Sequence, residues 1–176
     1  DVCTLGWYET EDLLGALDYL HGRSDVAPER IGVLGISLGG KAALLAAARD
    51  EGLRAVIVEG PGPMILSDHG GRPTTLRRWI NYPANLFYYR MLRFMNGVQP
   101  TEGILDIIAE IAPRPVMLIS AGKGSETVLT RVFYEAAAQP KGIWEVPKAK
   151  HAGAYFVNPQ AYQEKIVDFF DGALQR

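Results

Sequence analysis

The stretch IGVLGISLGGKAALLAAARD, residues 31–50, passes from a short apolar run bounded by glycine into an Ala/Leu-rich segment. IGVLG, residues 31–35, reads as a strand buried on both faces, and the segment from Ser37 to Asp50 as a helix. At the junction, Gly35-Ile36-Ser37-Leu38-Gly39 matches G-x-S-x-G. The bare pattern arises by chance in many chains. A strand just before it and a helix just after it make a sharp turn that presents a serine hydroxyl, with strained backbone angles at Ser37. Glycines two positions either side, Gly35 and Gly39, let neighbouring backbone pass where a Cβ would clash. The helix N-terminus turns free N–H groups and its positive dipole end towards developing negative charge, which makes the Leu38 N–H an oxyanion donor. The other readings of this junction are a plain glycine-rich turn or a phosphate-binding loop. The chain has neither a G-K-[ST] ending nor G-x-G-x-x-G, which weakens the second.

The same rhythm extends to both sides. ETEDLLGALDYL, residues 9–20, sets Leu13, Leu14, Leu17 and Leu20 at helical spacing with acidic residues near its start. RAVIVEG (54–60), PVMLIS (115–120) and GIWEV (142–146) are three further strands. SETVLTRVFYEAAAQ (125–139) and NPQAYQEKIVDFFDGAL (158–174) are amphipathic helices, the second with Tyr162, Ile166, Phe169 and Phe170 on its apolar side. Strands alternating with helices predict βαβ units: an α/β fold of three layers, α/β/α, around a mostly parallel sheet. Residues 61–112 break the rhythm. They begin PGPMILSDHGGRP, turn rich in aromatics and Arg, end with TEGILDIIAEIAP, and contain no convincing strand. They read as a helical cap-like insertion over one end of the sheet, within a single domain of residues 1–176.

Composition narrows the class. The chain has 176 residues, 48% hydrophobic and 22% charged, as in an ordinary globular domain. Eighteen basic against 20 acidic residues leave a net charge of −2, so no basic field draws nucleic acid. The single cysteine, Cys3, forbids an internal disulfide. No apolar run approaches the roughly 18–20 residues that cross a bilayer, and no signal pattern opens the chain. Together these lean towards the cytoplasm, with the oligomeric state open. There is no H-E-x-x-H and no Cys/His cluster, so neither a metal nor an organic cofactor is implied.

GWYETEDLLGALDYL (6–20) followed by DVAPERIGVLGISLGGKAALLAAARD (25–50) resembles the helix–strand–turn–helix segment of the α/β-hydrolases. PRPVMLISAG (113–122) and WEVPKAKHAGAY (144–155) resemble the later strands and histidine loop of the dienelactone-hydrolase-like and prolyl-oligopeptidase or acyl-peptidase-like branches. The resemblance covers about residues 5–175 and is weakest in the insertion. It implies about eight strands, of which four are visible, and therefore the C-terminal part of the fold with the N-terminal strands absent. On that basis the polypeptide is expected to be a fragment, poorly soluble or nearly inactive alone.

The resemblance also implies a triad in the chain order Ser, acid, His. Ser37 is the nucleophile. Of three histidines, His21 precedes it and His69 lies in the insertion, whereas His151 follows the last strand, where these families carry the base. A surface loop histidine is the other reading of His151. The family's acid falls within AGKGSE (121–126), where Glu126 is the one carboxylate in place of the commoner Asp. Glu126 could equally be an acidic residue favoured in the first turn of a helix. Glu59, after the preceding strand, is the runner-up. His69-Gly70-Gly71 resembles an oxyanion motif of esterases but follows the nucleophile, so it reads as a turn. Trp79, Tyr82, Phe87, Tyr88 and Tyr89 either line an apolar pocket or pack the insertion onto the body. The expected activity is a serine hydrolase cleaving an ester, thioester or amide through an acyl-enzyme, on a small acyl substrate or a peptide. An acyltransferase and a non-catalytic binding module are the alternatives, the second of which predicts a misplaced acid.

Overall fold

The computed structural model describes residues 4, 6–69, 83–84, 86–91, 94–95, 97, 102–122 and 124–175. Its centre is a four-stranded sheet in the order β1-β2-β3-β4, with all neighbours parallel. The strands are β1 (Gly32–Ile36), β2 (Ala55–Glu59), β3 (Val116–Ala121) and β4 (Lys141–Val146). The long helices are α1 (Tyr8–His21), α2 (Leu38–Arg49), α3 (Ser125–Ala136) and α4 (Pro159–Leu174).

Two-residue periodicity in β2 and β3 splits the core into two halves. Val56, Val58, Val116 and Leu118 face one side with Leu17, Leu44, Leu45 and Phe133, so α1, α2 and α3 cover that face. Ile57, Met117, Ile119 and Ala121 face the other side, where Tyr162, Ile166, Phe169 and Phe170 of α4 pack. A strand buried on both faces needs apolar residues at every position, and AVIV and VMLI supply them. The layers are therefore helix, sheet, helix.

β1 departs from the expectation of burial on both faces. It stands at the edge of the sheet, and Leu34 and Ile36 are 38% and 41% exposed. The run is apolar enough for an interior strand, but among the described residues only β2 pairs with it. Where β1 is covered, the packing is close. A Cβ at Gly32 would lie 2.5 Å from Cε1 of Phe170, so α4 rests directly on the β1 backbone.

Between β2 and β3 the described residues contain no strand. Residues 86–91 are helical, as is Ile104–Ile107, which runs into a 3-10 turn at Ile108–Ile111. Asp68, wholly buried, ties this segment together. Its carboxylate accepts from the N–H groups of Met64 and Ile65 and, 37 residues on, of Leu105. A Cβ at Gly103 would lie 2.5 Å from the same carboxylate.

Candidate active site

Parallel strands put all their carboxyl ends on one edge of the sheet, and Ser37, Glu59, Glu126 and His151 lie at or just beyond the ends of β1, β2, β3 and β4. Ser37 sits between the end of β1 and the start of α2 at φ 54°, ψ −112°, one of two described non-glycine residues with positive φ. A residue carrying a Cβ rarely adopts such angles, and neighbours must hold it there. The Ser37 N–H donates to the Glu59 carbonyl at 2.8 Å, and its carbonyl accepts from the Gly40 and Lys41 N–H groups. A Cβ at Gly35 would collide with the Gly39 carbonyl, which accounts for that glycine. The same account fails for Gly39, where a Cβ would enter open space. The second close approach is at Gly40, whose Cβ would stand 3.3 Å from the Gly35 carbonyl oxygen and 3.4 Å from Val58. Leu38 is the first residue of α2, so its N–H is among those without an intrahelical partner.

His151 lies in the turn between β4 and the short helix Ala154–Val157. Its Nε2 is 2.9 Å from Ser37 Oγ, and its Nδ1 is 2.7 Å from Glu126 Oε2. Ala152, immediately after it, is the other positive-φ residue, at 56°. Glu126 occupies the first turn of α3, and its other oxygen accepts the Ala121 N–H at 2.9 Å. The structure thus brings Ser37, His151 and Glu126 into one chain of contacts, with the imidazole largely exposed and the carboxylate mostly covered.

Glu59 is not at the imidazole in this chain of contacts. Its side chain is 1% exposed; one oxygen accepts the Ala154 N–H at 2.9 Å and the other the Tyr162 hydroxyl at 3.0 Å. Burial, and then the adjacent Glu59 carboxylate, push the Tyr162 phenol well above its ordinary value.

Sequence reasoning passed over Gly60. At φ 56° it runs beneath the acid–imidazole pair, where a Cβ would fall 3.0 Å from Glu126 Oε1 and 3.2 Å from His151 Cε1 and Nδ1. The one signal was a glycine directly after an apolar strand. His21 lies beside Gly52, past the far end of α2 from Ser37. His69 closes a 3-10 turn, and Gly70, Gly71, Trp79 and Tyr82 lie outside the described residues, as does Cys3. Phe87 and Tyr88 are exposed, and Tyr88 and Tyr89 stack edge to face at 5.5 Å. Burial, with the Asp68 carboxylate second, raises the Tyr89 phenol above its ordinary range. Among the described residues, no group of three or more His, Cys, Asp or Glu could hold a metal ion. No helix among them is long and apolar enough to cross a membrane.

A parallel sheet flanked by helices, with a positive-φ serine between strand and helix at its carboxyl edge, defines an α/β-hydrolase. The match to the model of the prolyl oligopeptidase family runs over residues 4–176, and the chain belongs to that family. It is 27% identical over 213 residues to the Pseudomonas aeruginosa protein PA2218, covering 92% of this chain and 57% of that one. The crystal structure of PA2218 superposes with a TM-score of 0.68, at 25% identity over 94% of this chain and 67% of the other. The α/β hydrolase domain-containing protein WAV2 of Arabidopsis thaliana is 29% identical over 168 residues, 92% of this chain and 53% of its own length. The Pyrococcus furiosus esterase Pf2001 shares the fold at a TM-score of 0.70 and 21% identity, over 99% of this chain and 65% of its own. The chain spans about half the length of the curated relatives it matches.

Proposed function

We propose that the chain carries the reacting residues of a serine hydrolase that cleaves an ester, thioester or amide through an acyl-enzyme. The observation that carries this reading is the unbroken series from Ser37 Oγ to His151 to Glu126, at 2.9 and 2.7 Å. Both distances are within hydrogen-bond reach, the geometric requirement for a nucleophile, its base and the group that orients the base.

In the acylation step His151 Nε2 takes the Ser37 hydroxyl proton as Oγ bonds to the substrate carbonyl carbon. The carbonyl oxygen becomes an oxyanion, and the Leu38 N–H at the start of α2 donates to it. The intermediate collapses when His151 returns the proton to the leaving alcohol, thiol or amine, and the acyl group stays on Ser37. Water then repeats the sequence with His151 as base, releasing the acid and free serine. Glu126 accepts from Nδ1–H, holds the tautomer with Nε2 free, and stabilises the imidazolium. A small acyl compound or a peptide is the substrate class. A binding module that had lost its chemistry would have no reason to keep the acid within 2.7 Å of the imidazole, and that distance favours the catalytic reading.

The test is covalent. Full-length protein treated with a fluorophosphonate should gain one phosphonyl group at Ser37, mapped by mass spectrometry of the peptides. Ser37→Ala should lose both the label and turnover of short chromogenic acyl esters. Label at another residue, or turnover preserved in Ser37→Ala, overturns the proposal.

A further inference from the structure

We infer that Glu59 is a positioning residue that clamps the histidine loop to the serine turn. The inference rests on the reading of Ser37, His151 and Glu126 as the reacting set. Glu59 closes a strand whose other residues are all buried and apolar, so a carboxylate here is a costly choice for packing alone. Each of its polar atoms named here reaches a different part of the site. The backbone carbonyl receives the Ser37 N–H. Oε1 receives the N–H of Ala154, three residues beyond His151. Oε2 receives the hydroxyl of Tyr162 on α4. The following residue, Gly60, lies under the imidazole and the Glu126 carboxylate.

The side-chain bonds cross the sheet. β2 and β4 are separated by β3, yet Glu59 on β2 holds chain that follows β4, over sequence separations of 95 and 103 residues. Among local bonds, the turn before His151 has the Ala149 N–H on the Val146 carbonyl. The positive φ of Ala152 then needs support from outside the turn. Glu59 supplies that support one residue past Gly153, from the same residue whose carbonyl holds the serine. One residue thereby ties both halves of the proton-transfer pair, its carbonyl to the serine turn and its carboxylate to the chain beyond His151.

A displacement of about 1 Å in such a pair costs on the order of a hundredfold in rate. Glu59→Ala in the full-length protein should lower kcat for an acyl ester by about 30–100-fold. KM should stay within about twofold, and fluorophosphonate labelling of Ser37 should slow by the same factor as kcat. Glu59→Asp keeps the charge but falls one methylene short of Ala154, and should lose about tenfold in kcat. Glu59→Gln keeps an acceptor for Ala154 and should recover activity to within about threefold of the parent. The downfield proton resonance of the His151–Glu126 bond should be sharp in the parent and Glu59→Gln and broadened in Glu59→Asp. A role limited to holding up the fold would lower the melting temperature without this rescue pattern or the spectral change. If Ser37→Ala stays active, the underlying reading fails whatever Glu59 does. If Ser37→Ala is dead while a folded Glu59→Asp keeps parental kcat, or if Glu59→Gln is as impaired as Glu59→Ala, the clamp is refuted. Glu59→Asp serves should Glu59→Ala not fold.

Discussion

Two glutamates stand at neighbouring strand ends and answer to different partners. Glu126, after β3, spends one oxygen on the Ala121 N–H and the other on the His151 ring. Glu59, at the end of β2, spends both on groups that keep their protons at neutral pH, an amide N–H and a phenol held well above its ordinary value. The first can bias where a proton resides; the second can only hold shape. Residue type does not separate them. The second partner does.

The largest expected effect lies on the Glu126 side. With Ser37 as nucleophile, Glu126→Gln should cost about 10³–10⁴ in kcat, because the amide no longer fixes the required tautomer. Steady-state turnover on an acyl ester measures it, and a loss below tenfold would erase the contrast between the two carboxylates. Stability should rank them the other way. Glu59→Ala strands a buried N–H and a buried hydroxyl and should lower unfolding free energy by about 2–4 kcal/mol. Glu126→Ala strands the buried Ala121 N–H and leaves the largely exposed His151 ring to water, and should cost about 1 kcal/mol, both losses being read by urea titration.

Gly60 lies between the two glutamates and tests their independence. Gly60→Ala forces a Cβ into positive-φ backbone and against both the Glu126 carboxylate and the imidazole. It should lose about 1–2 kcal/mol of stability, with turnover falling alongside.

A third glutamate provides the smallest effect and a control away from the chemistry. Burial opposes the charge on Glu9, but bonds from the Thr4 hydroxyl and the Thr4 and Gly6 N–H groups outweigh it, so its pKa drops from 4.5 to about 2. A depressed folded-state value means that the stabilisation is complete above about pH 4.5 and disappears as pH falls towards 2. Acid titration monitored by circular dichroism should show a shallower loss over that window in Glu9→Gln. Identical curves would remove the assigned cause.

The alternation of strand and helix was legible because a parallel sheet writes its burial into short apolar runs, and the four strands fall within about a residue or two of those runs. RAVIVEG and PVMLIS lie at the centre of the sheet and have neighbours on both sides, so pattern and environment agree there. IGVLG has the same texture, yet Leu34 and Ile36 are exposed, because an apolar run states what a strand can bury and not which partner covers it. Ser37, His151 and Glu126 could be singled out from G-x-S-x-G and from the chain order that the resemblance implies. The bonds of Glu59 could not. They close over 95 and 103 residues, and nothing in the local pattern marks Ala154 or Tyr162 as the other end. Gly60 was equally opaque, since its missing side chain matters only once the imidazole and the carboxylate have been folded over it.

The φ of 54° at Ser37 has a consequence for anyone who selects variants by melting temperature. Glycine adopts such angles freely, so replacement at this position should ease the backbone and raise thermal tolerance. A library sorted on robustness alone would then drift towards glycine at 37 and arrive at a sturdier molecule with no hydroxyl to offer a substrate.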